Sequence, residues 1–196
     1  MKALNITIIL AVALLYTGCQ AVKTVTKSEL EAAQAIDRVL LASSQFAQGM
    51  HQALEYLLHN RKDRDKILIC FSERMDPEIN KFFSLLIVQA LTSEEITKGA
   101  ELAQSPAFEK INKYIMENHD ALASEAEAAG QRMDDYFLLA AASKLDIPAS
   151  QRQSVVEFVD WHRKVTPKMN IKIKAIFPPF ENHIKQVVTE CVQTNQ

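Results

Sequence analysis

The chain has 196 residues, 22 basic against 24 acidic side chains, a formal net charge of −2 and 48% hydrophobic residues. A balance so close to neutral gives no general case for nucleic-acid binding, and 4 glycines cannot supply the clustered backbone N–H groups of a phosphate-cradling loop. Alanine and leucine are common and glycine turns are not, so the composition is that of an all-α protein: one helical bundle or array of about six to eight helices after an N-terminal leader.

The leader occupies Met1 to Cys19. Lys2 makes the start positive, and Ile6 to Leu15 is apolar apart from Thr7. About ten apolar residues are half of the ~20 that a spanning helix needs, so the segment reads as a cleaved export signal. Two cuts are compatible with it. Leu15-Tyr16-Thr17-Gly18-Cys19 resembles the lipobox of bacterial lipoproteins, with Tyr16 in place of the usual aliphatic residue three before the cysteine. That resemblance implies lipidation of Cys19 and a membrane as partner through the lipid. Gln20 in place of aspartate then implies the periplasmic face of the outer membrane. The second cut, after the small residues Cys19 and Ala21, frees Val22 and implies a soluble periplasmic or secreted protein. The chain divides into residues 1–18 as signal, 19–27 as tether and 28–196 as helical domain.

In chain order, Ser28 and Glu31 form a capping-box pattern that opens a helix reaching about Asn60. Its stripe runs through Ile36, Val39, Leu40, Phe46, Met50, Leu54 and Leu58, with Gly49 as the expected bend. The mixed charges of Arg61 to Lys66 mark a turn or helix start. A short helix is expected over Ile67 to Glu73, and Asp76-Pro77 signals a new start. Thr92 and Glu95 form a second box, closing near Gln104, and Ser105-Pro106 starts again. The pattern then continues to Leu145 as one helix or as two meeting near His119. Asp146-Ile147-Pro148 breaks it, Thr166-Pro167 restarts it, and Pro178-Pro179 kinks or ends it. Met169 to Phe177 alternates as a strand would, but a lone strand leaves its backbone groups unpaired, so helix is expected.

Leu91-Thr92-Ser93-Glu94-Glu95-Ile96, followed by Ser105-Pro106-Ala107-Phe108-Glu109-Lys110, resembles a family of exported bacterial helical proteins of unknown function. Its members carry Phe-Thr-x-x-Glu-Leu and then Ser-Pro-x-Gly-x-Lys. The resemblance spans about Ile36 to Ile115, with Leu91 in place of the aromatic and Phe108 in place of the glycine. It implies an all-helical, envelope-associated protein. The motif residues also have a purely structural reading as helix caps and first-turn residues.

Four groups of residues are candidates for function. Cys70 and Cys191 form a bridge in an oxidising compartment or remain two separate buried thiols. His51, Glu55 and His59, four apart on one helix, are possible metal ligands; the outer two lie ~12 Å apart, too far to share one ion. Arg163, Lys164, Lys168, Lys172 and Lys174 form a basic run, flanked by Trp161 and Phe177, that suits anionic lipid or an acidic envelope protein. Glu125, Glu127, Asp134 and Asp135 form an acidic region. Asp160–His162 and His119–Asp120 are too close in sequence to share a helix face as acid–base pairs. No nucleophile elbow occurs and no cofactor is implied. The expected function is a non-catalytic interaction or structural module of the envelope. The alternatives are a periplasmic binding protein for an apolar ligand, with a cavity lined by Phe82, Phe83, Phe108, Tyr114, Met133 and Phe137, and an envelope-acting hydrolase.

Overall fold

A computed structural model describes residues 25–195. Among them are eight helices and no strand: α1 (Lys27–Leu40), α2 (Ala42–Leu57), α3 (Arg64–Ala90), α4 (Ser93–Ala103), α5 (Ala107–Glu117), α6 (His119–Ala128), α7 (Met133–Lys144) and α8 (Ala149–Thr194). The all-α expectation holds, and Met169 to Phe177 is helical. No described helix is long and apolar enough to cross a membrane.

The first helix starts two residues before the expected box. Thr26-Lys27-Ser28-Glu29 and Ser28-Glu29-Leu30-Glu31 both fit the pattern; Thr26 takes the cap, its hydroxyl accepting from the Glu29 N–H while the Glu29 carboxylate accepts from the Thr26 N–H. The helix continues through Gly49. It breaks at Leu41, which has φ 54° in the left-handed region and closes α1 while opening α2. Asp37 stabilises the break: its carboxylate accepts from both the N–H and the hydroxyl of Ser43 in the first turn of α2. Burial pushes the Asp37 carboxyl above its ordinary range, against the lowering effect of those hydrogen bonds.

Pro77 and Pro167 do not start helices. α3 runs through Pro77, and α8 runs for 46 residues through Pro167, Pro178 and Pro179. Thr166 illustrates the difference. A capping hydroxyl accepts from an N–H ahead of it, but Thr166 Oγ1 donates backward to the His162 carbonyl at 2.7 Å. An interior proline costs ~3 kcal/mol, and here buried neighbours offset it: Met75 and Ile79 around Pro77, Val165 and Thr166 before Pro167. The Thr92–Glu95 box forms as expected and opens α4. Ser105 does not cap α5; Pro106 stands at the cap, and the buried Ser105 Oγ has no partner among the described residues. The long stretch to Leu145 divides at Asn118, as allowed, and again at residues 129–132, where Gly130 takes φ 61°.

Moving along α3 from Cys70 to Phe82 moves backward along α8 from Cys191 to Phe180, so the two helices are antiparallel. α2 lies beside both, with Phe46 against Phe83 and Phe177. This three-helix end, the tip, has its own core of Leu54, Leu58, Ile67, Phe71, Met75, Ile79, Ile184 and Val187. The remaining helices build a larger body around the first half of α8, on a core that includes Ile36, Val88, Ile96, Phe108, Ile111, Leu122, Phe137, Phe158 and Trp161. At 1.5 Å per residue α8 is about 69 Å long and belongs to both cores.

Candidate functional site

The middle of α8 is where the candidate residues concentrate. Between its two buried stretches, one ending at Thr166 and the other starting at Ile184, no residue of α8 is fully buried. The basic run straddles the start of this interval, and the structure divides it. Arg163 donates to buried Asp135 at 2.9 Å and lies 3.6 Å from Asp160. Lys168 binds Glu95 and holds that carboxyl below its usual range. Lys164, Lys172 and Lys174 have no ion-pair partner among the described residues. Ile171 lies among them, 74% exposed.

The motif of α4 is tied to the same stretch of α8. The Thr92 box carboxylate is the group that Lys168 reaches, and the Glu95 carbonyl accepts from Trp161 Nε1 at 3.0 Å. The indole lies over Gly99, where an added Cβ would come within 2.3 Å of the Trp161 ring. Every one of these roles is structural.

A buried polar cluster escaped the sequence reading. Asp135, grouped there with surface acids, is 3% exposed and meets His162 Nδ1 at 3.2 Å, with Arg163 on its other oxygen. Asp160 points elsewhere, as its spacing required. The sequence signal was the position of Asp135 one turn from Leu138 on the inner side of α7; acids at a helix N-terminus are usually read as dipole partners in solvent.

His51, Glu55 and His59 do not converge. His51 Nε2 meets Ser72 Oγ at 2.9 Å and Asp76 Oδ1 at 3.4 Å, Glu55 faces Arg64 at 3.9 Å, and His59 Nδ1 sits 2.7 Å from the Tyr56 carbonyl. α2 ends at Leu57, so His59 leaves the helical face that the spacing assumed. Among the described residues no group of three or more His, Cys, Asp or Glu could hold a metal ion. The Ser72–His51–Asp76 contacts do not form a relay, because hydroxyl and carboxylate meet the same imidazole nitrogen. His119 meets Asp120 at 3.2 Å in solvent.

The aromatic residues expected to line a cavity pack on other side chains, Phe82 and Phe83 at the tip, Phe108 and Phe137 in the core of the body, and Tyr114 against that core. Phe82 stacks on Phe180 with centroids 4.1 Å apart and meets Phe83 edge-on, Phe108 packs on Phe158, and Phe137 packs on His119. Met133 is 54% exposed. A small void beside Val39, Leu41, Ile115 and Phe137 holds about 10 Å³, and an open groove of about 320 Å³ and mixed lining lies between Leu102, Gln104, Ser105, Pro106 and Ser154.

Cys70 and Cys191 are joined, with their Cα atoms 5.8 Å apart across 121 residues of sequence. Arg74 and Glu190 pair in the same stretch of α3 and α8, which depresses the Glu190 carboxyl. Cys19, the lipidation candidate, and Val22, the alternative mature start, lie outside the described residues. Comparison with family models, with curated proteins and with solved structures finds no match.

Proposed function

We propose that this chain is an exported, lipid-anchored helical module of the bacterial cell envelope that works through contact rather than catalysis. The observation that carries the reading is the Cys70–Cys191 bridge. Structural disulfides persist in oxidising compartments, which agrees with the export signal in Met1 to Cys19. The contact role is supported by how the polar side chains are used. His51 and His162 are both engaged in cross-helix contacts, with Ser72 and with Asp135. The two-core arrangement along one long helix suits a spacer or docking element.

The test is the intact mass of the protein extracted from its native envelope. The expected mass begins at Cys19 and includes acyl chains. A mass beginning at Val22 without lipid removes the anchor and leaves a soluble exported protein. A mass that retains Met1 to Gly18 removes the cleaved-signal reading altogether.

A further inference from the structure

We infer that the segment of α8 from Lys164 to Lys174 is the face on which the protein rests against an anionic lipid bilayer. The inference builds on the anchored reading and assigns it a surface and an orientation.

Three observations converge on this segment. The first is charge. From Trp161 to Phe180 there is no Asp or Glu, while Arg163, Lys164, Lys168, Lys172 and Lys174 all fall within it. After the ion pairs of Arg163 and Lys168 are set aside, three cations remain without a partner among the described residues. Along α8 the nearest acids are Asp160 before this stretch and Glu181 after it.

The second is direction. At about 100° per residue, the five basic side chains lie within roughly half of the helix circumference, with Ile171 near the middle. The other half carries Phe158, His162, Val165 and Thr166, all buried in the body. A bare isoleucine ringed by unpaired lysines is an unusual feature on a surface that only meets water. On a bilayer its position is explained: the apolar side chain enters the headgroup region while the lysines reach phosphate.

The third is where the chain enters. Thr26 is bonded to Glu29, Glu29 accepts from Ser93 Oγ at 2.7 Å, and the adjoining Thr92 is bonded to Glu95, which holds Lys168. A short relay of contacts therefore joins the first described helix to the basic segment. Cys19 is six residues before Val25. Even fully extended, that stretch spans only about 20 Å. A lipid on Cys19 would keep this side of the molecule within about 20 Å of the bilayer, and the lysines act once they come within the Debye length of about 8 Å. Another exposed apolar pair, Tyr56 and Leu57, lies at the far end of α2, where the following charges from Arg61 to Lys66 are of mixed sign rather than purely basic.

The experiment uses the full chain purified with its anchor and reconstituted into vesicles of neutral phosphatidylcholine, or of the same lipid with a third phosphatidylglycerol. Flotation reports the anchor, and amine labelling read by mass spectrometry reports the surface. The expected result is flotation with both vesicles and labelling of Lys164, Lys172 and Lys174 slowed about threefold on the anionic ones alone, reversed by added salt. Lys113 on α5, 77% exposed, serves as the internal control and should label equally on both. In the triple variant K164E/K172E/K174E, all at solvent-accessible positions, Lys168 should label at the same rate on both vesicles. Equal labelling of the wild-type lysines on the two vesicles overturns the inference while leaving the anchor intact. Failure to float on neutral vesicles removes the anchor instead. The surface then stands if the unanchored chain binds anionic vesicles at low salt and the triple variant does not, and falls otherwise.

Discussion

The body and the tip solve the same problem by different means. The body wraps several helices around the first half of α8 and buries a broad apolar core without a covalent cross-link. The tip has three helices, a much smaller core, and the disulfide. A small core leaves too little apolar area to offset chain entropy, so a cross-link contributes most there. The two regions meet at an aromatic joint, where Phe46, Phe82, Phe83, Phe177 and Phe180 pack on one another. The body is thus closed by close packing, the tip by a bond.

The largest expected effect breaks the tip. The bridge spans 121 residues, and on the chain-entropy model a loop of that size contributes about 4–5 kcal/mol. Cys70→Ser with Cys191→Ser should lower the urea midpoint by a corresponding amount. Amide exchange should rise first in α2 and at the end of α8, with α4 to α7 less affected. Uniform loss across all helices would show that the two regions unfold as one unit.

Next comes the tightest contact of the body. Gly99→Ala places a methyl inside the van der Waals envelope of Trp161, and overpacking of this kind costs about 1–3 kcal/mol. The expected outcome is a lower midpoint and a shifted Trp161 fluorescence maximum, because the indole must leave the Glu95 carbonyl. The same substitution in the tip has the opposite sign. Nothing lies within 4 Å of a Cβ at Gly49, and alanine is better than glycine in a helix interior by about 0.5–1 kcal/mol. Gly49→Ala should therefore raise the midpoint; a decrease would mean that α2 requires flexibility there.

The smallest expected effect is at the break between α1 and α2. The folded state raises the Asp37 carboxyl because burial disfavours its charge. A raised carboxyl contributes its full stability below its unfolded value and loses it as pH rises through its folded value. Asp37→Asn should thus gain on the wild type as pH rises through mild acid, with the difference level at neutral pH. Glu95 has the opposite sign: Lys168 depresses its carboxyl, so its contribution is lost as pH falls through the folded value. Glu95→Gln should flatten the acid limb of the stability profile. Urea midpoints across a pH series separate the two, and parallel profiles for all three proteins would sink both assignments.

Much of the helical layout was legible because it depends on local chemistry. Thr92 and Glu95 satisfy each other within one turn, and Asp146-Ile147-Pro148 cannot continue a helix, so both boundaries are visible in the residues themselves. The errors at the two prolines share one cause. Asp76-Pro77 and Thr166-Pro167 look like caps because a polar residue precedes proline, yet Asp76 faces Ser72 and Thr166 bonds the carbonyl behind it. The Leu41 break was illegible for a related reason: a left-handed leucine is locally unfavourable, and it is held by Asp37 and Ser43 on either side. Of the candidate residues, Cys70 and Cys191 came together, whereas His51 and His59 parted once α2 ended at Leu57.

Composition, spacing and caps were sufficient for the all-α class, for the export signal as an expectation, and for the pairing of two cysteines as one of two open outcomes. They act over one or two turns or through bulk burial, and the order of residues expresses both directly. The tertiary structure alone decided that Asp135 is buried against His162 and Arg163, that α8 runs through three prolines to serve two cores, and that three of five clustered cations have no ion-pair partner among the described residues. Each of these depends on what a distant segment places opposite, and that is settled only when the packed helices balance local cost against burial.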